Sequence, residues 1–264
     1  VELFVRQLHD GEDRPAIVDP LEGRQLTWGQ LLSQSLAVVE RLEAAGYRPG
    51  DRLAHVGPHA ADWIVADFAC LLGGFVQVAL HAGSPAAELR EQLQLFRPRA
   101  IIVSGSLVPL ADGPLAVPRH DVQVAWPSAA APAVDRAAVA AAIEQRAAAL
   151  DPDAPATILI SSGTTGRPRG FLHSQRALAT NAVAAAAGFL DEPDDVRLAW
   201  LPLSHALARV GDLYTALVRG GMLSLVADRQ RLLEACRLLP PAAILGVPIF
   251  FDRLATAVEA GRIP

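Results

Sequence analysis

The sequence predicts an α/β fold in which mainly parallel sheets are flanked by helices. Short apolar runs of strand length alternate with longer amphipathic runs, and Gly or Pro residues separate them. Hydrophobic residues make up 52% of the 264 residues, so the chain can bury a sizeable core. The formal net charge is -5 and no basic stripe is present, which argues against nucleic acid as the main partner.

The first hundred residues are predicted to alternate between helices and strands after a small hairpin. Thr27 and Gln30 form a capping box at the start of the second helix, and Gly46 ends it. Ser84 and Pro85 are predicted as the N-cap and the first-turn proline of a later helix. The predicted helices are 3–8, 27–45, 60–72 and 85–96, and the predicted strands are 15–19, 24–27, 52–56, 75–80 and 100–103.

Residues 104–155 have a different composition, because prolines cluster there and alanine dominates from 129 to 149. We expect an irregular surface segment with one strand at 122–126 and an Ala-rich helix at 134–150. A second run of α/β units follows, so we divide the chain into a first α/β subdomain, 1–150, and a second, 151–264. The second contains predicted strands at 158–160, 171–174, 197–201, 222–226 and 242–246, and predicted helices at 175–189, 206–219, 229–238 and 248–260.

The stretch 158–170 has the composition of a polyphosphate cradle. An apolar strand leads into a loop of small hydroxyl residues and glycines, whose backbone N–H groups can approach a ligand closely. Arg169 adds a permanent positive charge with a fork of donors suited to phosphate oxygens. The candidate phosphate-binding residues are Ser161, Ser162, Gly163, Thr164, Thr165, Gly166 and Arg169. The string is neither the common P-loop, which needs G-x-x-x-x-G-K-[ST], nor a dinucleotide fingerprint.

The string SSGTTGRPRG resembles the phosphate loop of the adenylate-forming (AMP-binding) superfamily, written T-S-G-T-T-G-x-P-K-G. Ser161 replaces the first Thr and keeps the hydroxyl, while Arg169 replaces the Lys and keeps the charge. The sequence contains no lysine, since all 23 Lys and Arg residues are arginine. The order of features from 46 to 93 also resembles the early part of these enzymes.

A second resemblance points to the acyl-CoA synthetase branch, and to its long-chain members especially. The string LPLSH, residues 201–205, is similar to the L-P-L-x-H segment of that branch, where the His lines the acid pocket. His205 would therefore be the catalytic-site residue beside the carboxylate. Amino-acid-activating relatives carry an Asp near this place, whereas this chain has Ser204, with Asp212 further along the helix. An uncharged acyl or aryl acid is favoured over an amino acid.

The resemblance implies an acid–thiol ligase. ATP with Mg²⁺ would activate a carboxylic acid, fatty acids first among them, to an acyl-adenylate, and CoA would then take the acyl group. The chain would be the ATP phosphate-binding N-terminal part of such an enzyme, with the Mg²⁺-binding Glu, the ribose-binding Asp and the catalytic Lys in a missing C-terminal half. The first residue is Val1 and the only methionine is Met222, which also favours a piece of a longer product. The open alternatives are a non-catalytic nucleotide-binding module of the same fold and an aryl or short-acid CoA ligase.

Other residue patterns give weaker expectations. Cys70 and Cys236 lie in apolar helical stretches, so we expect buried free thiols and a reducing, cytoplasmic compartment, with membrane association at most peripheral. No metal-ligand spacing is visible, so His55, His59 and His81 are expected to be structural. Arg209 is expected to face solvent, with the pocket as the alternative. Apolar surface at an incomplete edge would make the chain aggregate or dimerise.

Overall fold

The computed structural model describes residues 1–9, 13–105, 117–127, 133–161, 168–189, 192 and 194–259. The helices of this part of the chain are α1 (Glu2–His9), α2 (Trp28–Ala44), α3 (Ala61–Leu72), α4 (Ala86–Phe96), α5 (Arg136–Ala149), α6 (Gln175–Gly188), α7 (Ala206–Ala208), α8 (Thr215–Arg219), α9 (Leu232–Leu238) and α10 (Pro248–Glu259). A π-helical segment, Arg209–Tyr214, joins α7 to α8, and a 3₁₀ turn, Arg229–Arg231, precedes α9.

The described strands form two sheets. They are β1 (Pro15–Asp19), β2 (Arg24–Thr27), β3 (Arg52–Val56), β4 (Val76–Ala79), β5 (Ala100–Ser104), β6 (Arg119–Val122), β7 (Pro155–Ser161), β8 (Arg169–Ser174), β9 (Val196–Ala199), β10 (Met222–Leu225) and β11 (Ala243–Ile244). Sheet A has the order β11-β9-β10-β1-β2 and sheet B the order β6-β5-β3-β4-β7-β8. Neighbouring strands pair in parallel except β1 with β2 and β7 with β8. The predicted mainly parallel α/β fold is confirmed.

The two sheets share an inner layer of helices. The largest core cluster joins side chains of α2 and α3 to strands of both sheets, such as Ile17 of β1 and Leu53 of β3. The opposite face of sheet B packs on α4 through Leu89, and the opposite face of sheet A packs on α9 through Ala235. The resulting order of layers is helix, sheet A, helices, sheet B, helix.

Both sheets take strands from before and after residue 150. Strands β1 and β2 belong to sheet A, whose other strands begin at residue 196. Strands β7 and β8 belong to sheet B, whose first strand begins at residue 52. The boundary predicted at residue 150 therefore does not coincide with a boundary between sheets. The division into two α/β subdomains, 1–150 and 151–264, stays a prediction.

Local signals placed most elements correctly. Thr27 and Gln30 form the predicted capping box, with each side chain bonded to the other's backbone N–H. At α4 the expected cap was wrong, because Pro85 occupies the N-cap position and no side chain caps the helix. Cys70 and Cys236 are free thiols, as predicted, although only Cys70 is fully buried.

The strand predicted at 122–126 was also wrong, since β6 ends at Val122. Beyond that residue the backbone is held by side chains instead of a neighbouring strand. Gln34 bonds both the N–H and the carbonyl of Ala125, and Asp62 accepts from the N–H of Val124. The alternating apolar pattern there serves packing, because Val124 and Trp126 lie against the core without joining the sheet.

Exposed apolar side chains gather on α10 and just before it. The large side chains concerned are Val247, Ile249, Phe251 and Val258. A further exposed pair, Phe171 and Leu172, lies on the edge strand β8. None of the described helices is both long enough and apolar enough to cross a bilayer.

Candidate active site

Three strand ends from the two sheets define the candidate site. Strand β4 ends just before His81, β7 ends at Ser161, and β9 is followed by Ser204 and His205. Parallel α/β sheets bind ligands beyond the carboxyl ends of their strands. Strands β4 and β7 are neighbours with Ala79 paired to Leu159, so His81 and Ser161 each lie two residues beyond a paired position.

The predicted phosphate loop connects two antiparallel strands. Ser161 at the end of β7 is paired with Arg169 at the start of β8, so hydroxyl and guanidinium flank the same turn. Both residues are exposed to solvent. Ser162, Gly163, Thr164, Thr165 and Gly166 lie outside the described residues, and their contacts with phosphate stay a prediction.

The base of this hairpin is closely packed. A Cβ at Gly170 would lie 2.5 Å from Phe96 and 2.7 Å from Ile158, so only glycine allows α4 to approach β8 this closely. The donor set at the loop entrance, a hydroxyl opposite a guanidinium, fits a polyphosphate chemically. Among the described residues, no three His, Cys, Asp or Glu side chains cluster as metal ligands.

His205 occupies the N-cap position of α7, directly before the π-helical segment. Its imidazole is exposed, so a ligand can reach it. Partial burial and the neighbouring imidazole of His81 lower the pKa of His205 below the usual histidine value. At neutral pH the ring is therefore uncharged and can donate one hydrogen bond and accept another.

His81 is a member of the site that sequence reasoning missed. Its ring centroid lies 5.1 Å from that of His205, and its Nδ1 lies 3.2 Å from Oγ of Ser204. The expectation that His81 is only structural rested on the lack of metal-ligand spacing. No local pattern relates residues 124 positions apart, but the place of His81 directly after a buried strand was a usable signal.

Arg209 is fully buried, so the expectation that it faces solvent was wrong. Its guanidinium forms an ion pair with Asp67 of α3 and donates to Oγ1 of Thr157 at 2.9 Å and to the hydroxyl of Tyr214 at 2.7 Å. The Tyr214 hydroxyl in turn donates to Asp67 at 2.9 Å. The backbone N–H of Arg209 bonds the carbonyl of His205 at 3.0 Å, so this buried cluster anchors the segment that carries His205.

The widened helical turn allows the Arg209 cluster to form. The π-helical segment Arg209–Tyr214 contains both the guanidinium and the tyrosine that bond each other and Asp67. Such segments occur often at functional sites. Burial raises the pKa of Asp67, and the charge of Arg209 acts against this shift. An arginine that cannot lose its proton needs a carboxylate when it is buried.

A row of polar side chains continues from this cluster across the inner face of sheet B. Thr157 donates to the carbonyl of Gln77 at 3.1 Å, Gln77 lies 2.7 Å from Nδ1 of His55, and Nε2 of His55 lies 3.1 Å from Oγ of Ser104. His55 also stacks on Trp63. Burial, and to a smaller degree the charge of Arg209, lower the pKa of His55 to about 3. His55 is thus a neutral, packed histidine in a position that gives a ligand no access.

Asp212 lies against Arg197, with Oδ1 at 3.7 Å from the guanidinium and both side chains buried. The carboxylate is therefore buried beside Arg197 and does not line the site. In the described part of the chain, neither His81 nor His205 forms an ion pair with a carboxylate.

Comparison with known proteins identifies the family. The model of the AMP-binding enzyme family matches residues 4–263. The chain belongs to this family. Among curated relatives, Protein Y of Streptomyces griseus is 28% identical over 262 residues, which cover 93% of this chain and 83% of that protein. The long-chain-fatty-acid–CoA ligase FadD15 of Mycobacterium tuberculosis is 28% identical over 246 residues, which cover 89% of this chain and 40% of the ligase.

This AMP-binding chain spans only part of the length of the solved structures that share its fold. ATP-bound MatB from Rhodopseudomonas palustris superposes with a TM-score of 0.74 at 22% identity, covering 96% of this chain and 50% of MatB. MenE from Bacillus subtilis in complex with AMP gives 0.75 at 20% identity, covering 96% of this chain and 63% of MenE. The family match confirms the predicted resemblance, and these structures confirm the predicted fold.

Proposed function

We propose that this AMP-binding chain holds the ATP phosphates and the carboxylate in an ATP-dependent acid–thiol ligase that makes an acyl-adenylate and then an acyl-CoA. The observation that carries the proposal is that His81 lies beside His205 and follows a strand whose parallel neighbour, β7, leads into the phosphate loop. Membership of the family supports the nucleotide assignment. The substrate class that fits best is a carboxylic acid whose acyl group carries no further charge, with fatty acids as the leading candidates.

The reaction joins a carboxylate oxygen to the α-phosphorus of ATP, and the bond from that phosphorus to the bridging oxygen breaks to release pyrophosphate. Arg169 and the hydroxyls of the loop would neutralise charge on the departing phosphates, which is how proteins accelerate phosphoryl-type transfer. His205 would donate a hydrogen bond to the carboxylate and fix its direction of attack. The sulfur of CoA then bonds to the acyl carbon, and AMP leaves.

Magnesium would add charge neutralisation between the phosphate groups. The described residues contain no ligand cluster for it, so we place no step on a protein-held metal. Nothing in the described site assigns residues to CoA, and its use is proposed from family membership alone.

The preference for an uncharged acid rests on Ser204, His205 and Asp212. The first two lie at the site, and neither can pair with the ammonium of an amino acid as an ionised carboxylate would. Asp212 is the nearest acidic residue along the chain, and it is buried beside Arg197. The relative ScoC of Streptomyces coeruleorubidus, a fatty acid–[acyl-carrier-protein] ligase, is 29% identical over 206 residues, in line with this preference.

The direct test is ATP binding by isothermal titration calorimetry to the chain and to its Arg169→Gln variant. Loss of one charge-assisted hydrogen bond to phosphate costs about 1.5–3 kcal/mol, so we expect affinity to fall roughly tenfold or more. The matched control is Arg237→Gln, which removes an exposed arginine on α9, the helix that packs on sheet A. This variant should bind ATP normally. Equal affinity in the wild type and in Arg169→Gln would contradict the phosphate-loop assignment.

ATP–pyrophosphate exchange then tests the chemistry, with fatty, short and aromatic acids and an amino acid. Exchange that depends on fatty acids supports the proposal, and exchange that depends on aromatic or short acids supports the alternative aryl or short-acid ligase. Tight ATP binding with no exchange for any acid supports a nucleotide-binding module without catalysis by this chain alone.

A further inference from the structure

His81 and His205 come from different sheets and meet across the junction between them. His81 follows β4 of sheet B, and His205 follows β9 of sheet A. Their ring centroids are 5.1 Å apart with 36° between the ring planes, and Ser204 contacts Nδ1 of His81. The pair therefore exists only when both sheets are assembled.

The turn after β4 leaves space for the His81 ring. The N–H of Ser84 bonds the carbonyl of His81 at 3.0 Å and closes a tight turn around it. A Cβ at Gly83 would lie 2.7 Å from Nε2 of His81. Glycine at this position therefore allows the ring to lie back against the turn, while Ser204 fixes its other side.

Two features of these rings favour an anion as their ligand. Both are partly accessible to solvent, and neither is used in an ion pair within the described residues. Two adjacent imidazoles repel each other once both are protonated, and an anion placed between them removes that cost. A neutral imidazole also carries one N–H, so Nε2 of His81 can donate to an oxygen of the bound group while Nδ1 accepts from the Ser204 hydroxyl, and His205 can donate from one ring nitrogen.

We propose that His81 is a second binding residue for the acid substrate, and that its imidazole and that of His205 together hold one carboxylate group. This inference rests on the proposed function, and it assigns a residue that the LPLSH resemblance does not include. The strand register supports the location, because His81 and Ser161 follow equivalent positions of neighbouring parallel strands. A carboxylate at the pair thus lies at the entrance of the phosphate loop, where the α-phosphorus must be reached.

The pair also explains selection against amino acids. An ammonium group beside the carboxylate would lie next to the His205 ring, which gains positive charge when the anion binds. The lowered pKa of His205 agrees with a ring that is neutral when the site is empty and takes up a proton with the ligand. Carboxylate affinity is therefore expected to rise as the pH falls from 8 towards 6.

The test uses the whole chain with octanoate and benzoate as probes and alanine as the amino acid. Binding is followed by NMR titration, and the imidazole resonances report protonation. The variants are His81→Asn, which removes one ring, and Gly83→Ala, which keeps both rings but displaces that of His81. His173→Asn is the control, because His173 lies on β8 beside Thr157, at the far end of β7 from the phosphate loop.

We expect His81→Asn to weaken octanoate or benzoate at least roughly tenfold, Gly83→Ala to weaken it less, and His173→Asn to leave it unchanged. The titration midpoint of His205 should rise in His81→Asn, since a neighbouring like charge is removed. Wild-type affinity in both His81→Asn and Gly83→Ala would overturn the proposal and leave His81 as a packing residue. The dispersed amide spectrum checks folding of each variant, and Gly83→Ala serves if His81→Asn fails to fold.

Two further outcomes separate this inference from the proposed function. A wild-type chain that binds ATP but no carboxylate overturns the two-imidazole site and leaves the phosphate-loop assignment standing. A chain that binds neither ATP nor a carboxylate overturns both.

Discussion

The buried pair Arg209–Asp67 gives the sharpest test of how the site is held together. Asp67→Asn keeps the size of the side chain but removes its charge, and it leaves a guanidinium that is fully buried. The hydroxyls of Thr157 and Tyr214 and the new amide oxygen would remain as partners for Arg209, and none of them carries a charge. Breaking a buried pair in this way costs about 3–5 kcal/mol, because the desolvated charge is no longer compensated.

That cost is a large part of the total stability of a domain, which is about 5–15 kcal/mol. The unfolding equilibrium would therefore shift by roughly a hundredfold or more, and the urea midpoint would fall with an unchanged m-value. Equilibrium urea unfolding, followed by far-UV circular dichroism and tryptophan fluorescence, measures this change. The matched control is Asp153→Asn, which breaks an ion pair with Arg176 whose side chains are 62% and 59% exposed, and it should shift the midpoint negligibly.

The double variant Asp67→Asn/Arg209→Met completes the cycle, since it removes both charges from the interior. The loss of stability in the double variant should be smaller than the sum of the losses in Asp67→Asn and Arg209→Met, because the double variant leaves no unpaired charge in the interior. Two results would refute the reasoning. One is a wild-type midpoint for Asp67→Asn, and the other is strict additivity in the double variant.

Two further predictions concern stability against pH and self-association. His55 has a pKa of about 3 in the folded state, so the folded state binds fewer protons than the unfolded state between that pH and about 6.5. The contribution of neutral His55 to the free energy of unfolding is therefore complete above pH 6.5. It is lost as the pH falls below this value, by about 1.4 kcal/mol per pH unit. Urea unfolding at pH 7, 6 and 5 should therefore show a slope that is smaller in His55→Gln, and an equal slope in the variant would contradict this assignment. The exposed side chains on α10 should make the chain associate, and Ile249→Glu with Phe251→Glu should weaken association at least roughly tenfold, as about 1.5–3 kcal/mol per buried side chain implies. Light scattering across a concentration series measures this, and a monodisperse wild-type monomer at every concentration would count against it.

The sequence by itself determined the local features of this AMP-binding chain. Apolar runs and turn residues predicted the α/β class, and the pairing of Thr27 with Gln30 predicted a helix start that the structure confirms. The phosphate-loop string identified the family, because its glycines, hydroxyls and charge are contiguous and need no tertiary contact to be recognised. His205 was found in the same way, from a short string after an apolar strand.

Only the tertiary structure decided which strands share a sheet and which distant side chains meet. Strand β1 pairs with β10, where Ile17 lies opposite Leu223, 206 positions later in the chain, a pairing that depends on long-range contacts and leaves no local periodicity. Arg209 resembles any exposed helical arginine until Asp67, 142 positions earlier, is placed against it. His81 likewise meets Ser204 and His205 only because the junction of the two sheets brings these residues together. Hydrophobic periodicity reports burial along one element, whereas a binding site depends on where separate elements end.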